Sequence, residues 1–163
     1  MSDRDEDGRV RRKMMVIADE TREAPSAALF AGLRAARSGA GVVILRVIER
    51  QAFAHWMGVG DEMRREALDA AQMQASALAR LIEDETGLEP EILIEEGDTL
   101  DMIRAVITRD ATIKVLVLAS GNERGGPGPL VSALAKGKFH TSHPLAVTVV
   151  PGGLALSAIK DMV

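Results

Sequence analysis

The sequence predicts an α/β domain built on an open five-stranded parallel sheet with helices on both faces. Three observations carry this expectation. Short, continuous apolar runs recur along the chain, as in strands covered on both sides, and they lack the alternation of a half-exposed sheet. Helix-length segments with apolar residues at three- and four-residue spacing separate these runs. Connections of that length return the chain parallel to itself, right-handed in about 98% of cases. The 163 residues fit one compact domain, large enough to bury a core without disulfides or metals.

Taken in order, Met14–Ala18 is the first apolar run, and Asp19-Glu20-Thr21 ends it with turn and cap residues. Pro25 and Ser26 open a helix, because proline in a first turn has no hydrogen bond to lose. Leu29 and Leu33 face inward, with Ala28, Ala31, Ala35 and Ala36 allowing close approach to a sheet; Ser38–Gly41 ends the helix. Val42–Ile48 is the second strand, rich in β-branched residues. A connector holding Phe53, His55 and Trp56 leads to a helix capped by Asp61. Its buried stripe reads Met63, Ala67, Ala70, Gln74, Ala77, Leu78 and Leu81, and Gly87 stops it.

Glu91–Glu95 is the third strand. Asp98 or Thr99 caps a third helix with Met102, Ile103, Val106 and Ile107 inward. Ile113–Leu118 is the fourth strand, followed by a glycine- and proline-rich loop, Ala119–Gly128, and a short helix from Pro129 ending near Gly137. Leu145–Val150 is the fifth strand. The expected organisation is a flexible tail over 1–12, a domain over 13–151 and a C-terminal arm over 152–163, packed or forming a short helix.

Composition removes several function classes. The net charge of -4 argues against a general electrostatic grip on nucleic acid or on an anionic membrane. Cysteine is absent, which removes thiol chemistry and Cys-based zinc sites and suits a reducing cytoplasm, the expected location. No apolar run approaches the roughly 20 residues of a membrane span, and the N-terminus lacks the apolar core of a secretory signal. His140 and His143 have no nearby cysteine or clear carboxylate partner, so surface histidines are the favoured reading over a metal pair. Neither a Gly-x-Ser-x-Gly elbow, nor a phosphate loop with its lysine, nor a Gly-x-Gly-x-x-Gly turn after the first strand occurs.

In open parallel sheets, ligands bind beyond the carboxyl ends of the strands at the point where strand order reverses. That rule singles out Asp19 and the Ala119–Gly128 loop. The strand ending in Asp19-Glu20-Thr21, then Val43-Ile44-Leu45-Arg46-Val47, then Gly97-Asp98 before a helix form a series of landmarks. The loop after strand four, the serine-bearing helix start and Pro144-Leu145-Ala146-Val147 complete it. Over residues 13 to 151 this order resembles the universal stress protein family.

The resemblance implies a Rossmann-like sheet of order 3-2-1-4-5 and binding of an adenine nucleotide, ATP or AMP, with magnesium only alongside ATP. By position, Asp19 and Val47 hold the base, while Ala119, Gly121, Arg124, Gly125 and Ser132 fall where the ribose and phosphates are held. It also implies a homodimer, with Val147, Val149 and Val150 of the last strand as a plausible seam, and a signalling partner of unknown identity. The family's loop runs Gly-x-x-Gly, nine residues, then Gly-Ser or Gly-Thr. Here the first glycine is Ala119, the closing pair is Val131-Ser132, and the loop is one residue shorter. Pro127 and Pro129 remove two N–H donors, and Glu123 would repel phosphate where Arg124 would attract it. The leading expectation is a non-catalytic nucleotide-binding regulator. A dimeric interaction module that has lost nucleotide binding comes second, and a weak nucleotide hydrolase comes last because no general base is apparent.

Overall fold

The protein is described by a computed structural model covering residues 8–49, 61–121 and 125–163. Five strands are described: β1 (Lys13–Ile17), β2 (Gly41–Glu49), β3 (Glu91–Gly97), β4 (Ile113–Ser120) and β5 (Ala146–Pro151). They form one sheet of order β3-β2-β1-β4-β5, and every pairing is parallel. Strand order therefore reverses between β1 and β4, as the alternating pattern and the resemblance imply. The described helices are α1 (Ala24–Ser38), α2 (Asp61–Thr86), α3 (Thr99–Arg109), α4 (Pro129–Ala135) and α5 (Leu156–Asp161).

Two apolar layers hold the sheet. On one face, Val16, Ile44 and Val117 pack with Leu29 and Ala31 of α1, Ile82 of α2 and Ile159 of α5. On the other, Met15, Leu45 and Leu116 pack with Ile103, Val106 and Ile107 of α3, and Leu130 and Val131 of α4 lie against them. No polar or charged residue among those described is buried, so burial of apolar surface dominates the core. α1 ends as its sequence suggests: Gly39 takes φ of 70°, and its N–H bonds the Ala35 carbonyl.

Several local expectations change. The stripe expected to be buried on α2 is displaced. The buried residues are Ala71, Ala75, Leu78, Ala79 and Ile82, whereas Met63 is 38% exposed. So many alanines give α2 two nearly equivalent faces. The one carrying Ile82 is selected because Gly32 on α1 leaves room for it: a Cβ on Gly32 would stand 2.9 Å from Ile82 Cγ2. Asp98 provides the cap of α3, its Oδ1 accepting the Asp101 N–H at 3.0 Å. Glu23 occupies the N-cap position of α1 without a side-chain cap bond. Within the segment read as a tail, Arg11 donates to the carbonyls of Gly39 and Ala40. The arm after β5 contains α5, whose Ile159 is in the core. Phe53, His55 and Trp56 lie outside the described residues. No described helix is long and apolar enough to cross a membrane.

Candidate functional site

A crevice opens at the carboxyl ends of β1, β2 and β4, where the strand order reverses. Its two lobes share Ile17, Asp19, Thr21, Pro129 and Leu130. The larger lobe, about 670 Å³, lies between β1, β2, α2 and α4, and its volume falls in the range of small-molecule sites. The smaller, about 170 Å³, lies between the β1–α1 turn and the loop after β4.

Asp19 stands between the lobes. Its Oδ1 accepts the Thr21 N–H at 3.0 Å and the Thr21 hydroxyl at 2.5 Å, so the carboxylate shapes the turn after β1. No bond to its second oxygen is seen among the described residues. A carboxylate has about four lone-pair positions, and turn shaping leaves acceptors for a ligand.

Val47 lines the larger lobe, but the whole residue is only 2% exposed and packs into the core. The Val47 carbonyl already accepts Arg46 Nη1 at 2.9 Å and keeps a second lone pair. The alanines of α2 that the sequence placed in the core, Ala67 and Ala70, form the opposite wall together with Gln74. The displaced stripe therefore builds a shallow apolar wall suited to a flat ring.

Arg46, Gln74 and Glu20 form a polar network along that lobe. Arg46 Nε donates to Gln74 Oε1 at 2.7 Å, and Arg46 Nη2 lies 3.5 Å from Glu20 Oε1. The sequence places Arg46 in the second strand and in a family landmark, without a ligand role. The available signal was one arginine in an otherwise apolar strand, at the end where ligands bind. Thr99 donates to Glu49 at 2.7 Å, closing the far rim.

The smaller lobe has a different character. Ala119, Gly121 and Gly125 line it with Asp19 and Thr21. Yet the Gly121 N–H is taken by the Pro127 carbonyl at 3.2 Å, and the Gly126 carbonyl sits 2.9 Å from where a Cβ on Gly121 would be. Gly126 and Gly128 hold positive φ of 86° and 98°, which lets the loop fold back on itself in this way. Glu23 also lines the lobe, its Oε1 3.8 Å from that same Cβ position. Gly152 leaves room for Glu23 there, since a Cβ on Gly152 would lie 2.3 Å from Glu23 Cγ and 2.4 Å from the Ser120 carbonyl. The charged residues among the described lining of this lobe are the carboxylates Asp19 and Glu23.

Two expected site residues stand apart. Ser132 lines neither lobe; Pro129, Leu130, Val131 and Ala133 are the residues of α4 that do. Successive helical positions turn by about 100°, so moving from Val131 to Ser132 leaves the lobe. Arg124 lies outside the described residues. At the sheet edge, Val149 is 38% exposed and Val147 is partly buried, but Val150 is fully buried in the core.

The family model for the universal stress protein family matches residues 11–136, well over half of the chain. No curated protein matches. Among solved structures, a universal stress protein from Lactobacillus plantarum superposes with a TM-score of 0.69 at 19% identity, covering 87% of this chain and 99% of that one. One from Archaeoglobus fulgidus gives 0.60 at 15% identity, covering 83% and 92%. A universal stress protein solved in complex with cAMP gives 0.52 at 17% identity, covering 88% and 98%. At these identities the structural likeness speaks for the fold.

Proposed function

The chain belongs to the universal stress protein family, and from that premise we propose that it is a regulatory, non-catalytic protein that binds an adenine nucleotide in the crevice between β1, β2 and β4. The observation that carries this reading is convergence: Asp19, Val47 and the described part of the loop after β4, Ala119, Gly121 and residues 125–128, line two lobes with a common wall. The solved relative in complex with cAMP supports a nucleotide as the ligand class.

Each end of the crevice suits a different part of such a ligand. Ala67, Ala70 and Ile17 supply apolar surface for a base, Val47 a carbonyl for an exocyclic amine, and Asp19 acceptors for base or ribose. The β4 loop then faces the phosphates. In this reading AMP and ATP share the base contacts, and magnesium accompanies ATP. The protein works in the cytoplasm, where adenine nucleotides are plentiful. It pairs through the β5 edge, with Val149 and the strand backbone at the seam.

Calorimetric titration with AMP and with magnesium–ATP tests the proposal. Binding weakened at least about tenfold by Asp19→Ala, but less by Asp19→Asn, is the expected result. Asparagine keeps the oxygen that accepts the Thr21 amide. Absence of binding at roughly millimolar nucleotide would overturn it.

A second reading, an interaction module without nucleotide, is favoured by one observation: the Gly121 donor is consumed internally and Glu23 stands beside it. The same titration separates the two readings.

A further inference from the structure

We infer that the opposite end of the sheet carries a second, independent binding site, for an amphiphilic organic anion: a carboxylate with an apolar chain. The site follows from topology. Right-handed crossovers in this strand order put α1 and α2 on one face, with α1 reaching across β1, β2, β4 and β5, and α3 and α4 on the other. On the α1 face, the amino ends of β4 and β5 are left partly open beside the last turns of α1. A groove of about 820 Å³ remains there, between the end of α1, the end of α5 and the sheet edge.

The groove has an apolar floor and a cationic rim. Met14, Val115, Val117 and Phe30 form the floor, and Val10 and Met162, 55% and 45% exposed, extend it outward. Arg9, Arg12, Arg34 and Lys114 stand around it, and its described lining includes no carboxylate. Outside the groove, Lys13, Arg46, Arg109 and Lys160 are each matched to a carboxylate, while Arg65, Arg80, Lys136 and Lys138 stand singly rather than clustered. Arg12, Arg34 and Lys114 form no side-chain hydrogen bond or ion pair among the described residues.

Lys114 is aimed there by a backbone irregularity. β1 and β4 pair Lys13 with Ile113 but Met14 with Val115, so Lys114 is an extra residue in a bulge. A bulge redirects the side chain it carries, and Lys114 lines the groove. Clustered cations repel one another, and a bound anion relieves that repulsion while its apolar part covers the exposed floor. The volume fits one small ligand, and the concave shape favours a free amphiphile over a flat lipid surface.

The test is calorimetric titration of the full-length protein with dodecanoate and with dodecanol, below their aggregation concentrations. The expected result is saturable one-to-one binding of dodecanoate, with dodecanol weaker by at least about tenfold. Lys114→Gln and Arg34→Gln should each weaken dodecanoate by a similar factor, and Arg65→Gln, on the exposed start of α2, should not. AMP titrations run in parallel confirm that each variant is folded, and circular dichroism does so if AMP does not bind. Equal affinity for the alcohol, unchanged affinity in the Lys114→Gln, Arg34→Gln double variant, or no saturable binding would overturn the inference. So would binding confined to phosphatidylserine vesicles, or a dimer, followed by sedimentation, that dissociates as dodecanoate binds.

Discussion

At the scale of single residues, Asp19 and Glu23 show how one short turn divides its labour. Asp19 shapes the turn with one oxygen and keeps acceptors for a ligand, whereas Glu23 places negative charge where phosphates would lie. Replacing Glu23 with glutamine removes that charge with little change of shape. The Glu23→Gln variant is expected to bind ATP about three- to tenfold more tightly, AMP slightly more tightly and adenosine unchanged, as read by calorimetry. Asp19 was legible in the sequence because a carboxylate directly after the first strand sits where open parallel sheets bind ligands. Glu23 was not legible. Its position depends on the space left by Gly152, from the far end of the chain, and no local pattern records that approach. Val150 was misread for a similar reason: a valine in an edge strand is exposed only if its face of the sheet is open, and at the carboxyl end of β5 that face is covered by the cluster that includes α1 and Ile159 of α5.

At the scale of elements, α2 is the informative case. Helix periodicity located it, but an alanine-rich helix offers two stripes of similar apolarity, and the chain alone does not choose between them. Packing of Ile82 against Gly32 makes the choice, and it turns Ala67 and Ala70 into a wall of the crevice. Because Ala70 is exposed and lines the larger lobe, enlarging it should fill the lobe without disturbing the core. Ala70→Phe is expected to weaken AMP at least about tenfold while leaving the melting temperature within about 2 °C of wild type. Unaltered AMP affinity in a folded variant would place the base elsewhere. The strands, by contrast, were legible nearly to their ends, because continuous β-branched runs bounded by turn residues leave few alternatives.

At the scale of the whole molecule, the ends of the sheet are held and used differently. At the amino end, Lys13 on β1 bonds Glu91 on β3 and Asp110 after α3, each at 3.1 Å. Burial alone would raise the Asp110 pKa. Hydrogen bonds from the Thr112 hydroxyl and amide, and then Lys13, outweigh it and hold that carboxyl below its ordinary value of 3.8. A carboxyl depressed in the folded state stabilises the fold above its unfolded value, and that stability is lost as pH falls through the folded value. Burial would likewise lower the Lys13 pKa, but its bonds to Glu91 and Asp110 raise it above 10.5, so its contribution is lost only as pH rises through that higher value. Asp110→Asn is therefore expected to lower the melting temperature by about 2–4 °C at neutral pH, with the gap closing as pH drops below about 4. A gap independent of pH would mean that the charge contributes nothing.

The carboxyl end is open, and there the central claim is a matter of geometry: one ligand touches both sides of the reversal in strand order. Amide NMR during titration with AMP tests this most directly. The account predicts saturable shifts appearing together at residues 19–21 after β1, 46–49 at the end of β2, and 119–121, 125, 126 and 128 after β4, with Lys114 and its neighbours unmoved. Shifts confined to one side of the reversal, or none at saturating nucleotide, would contradict it.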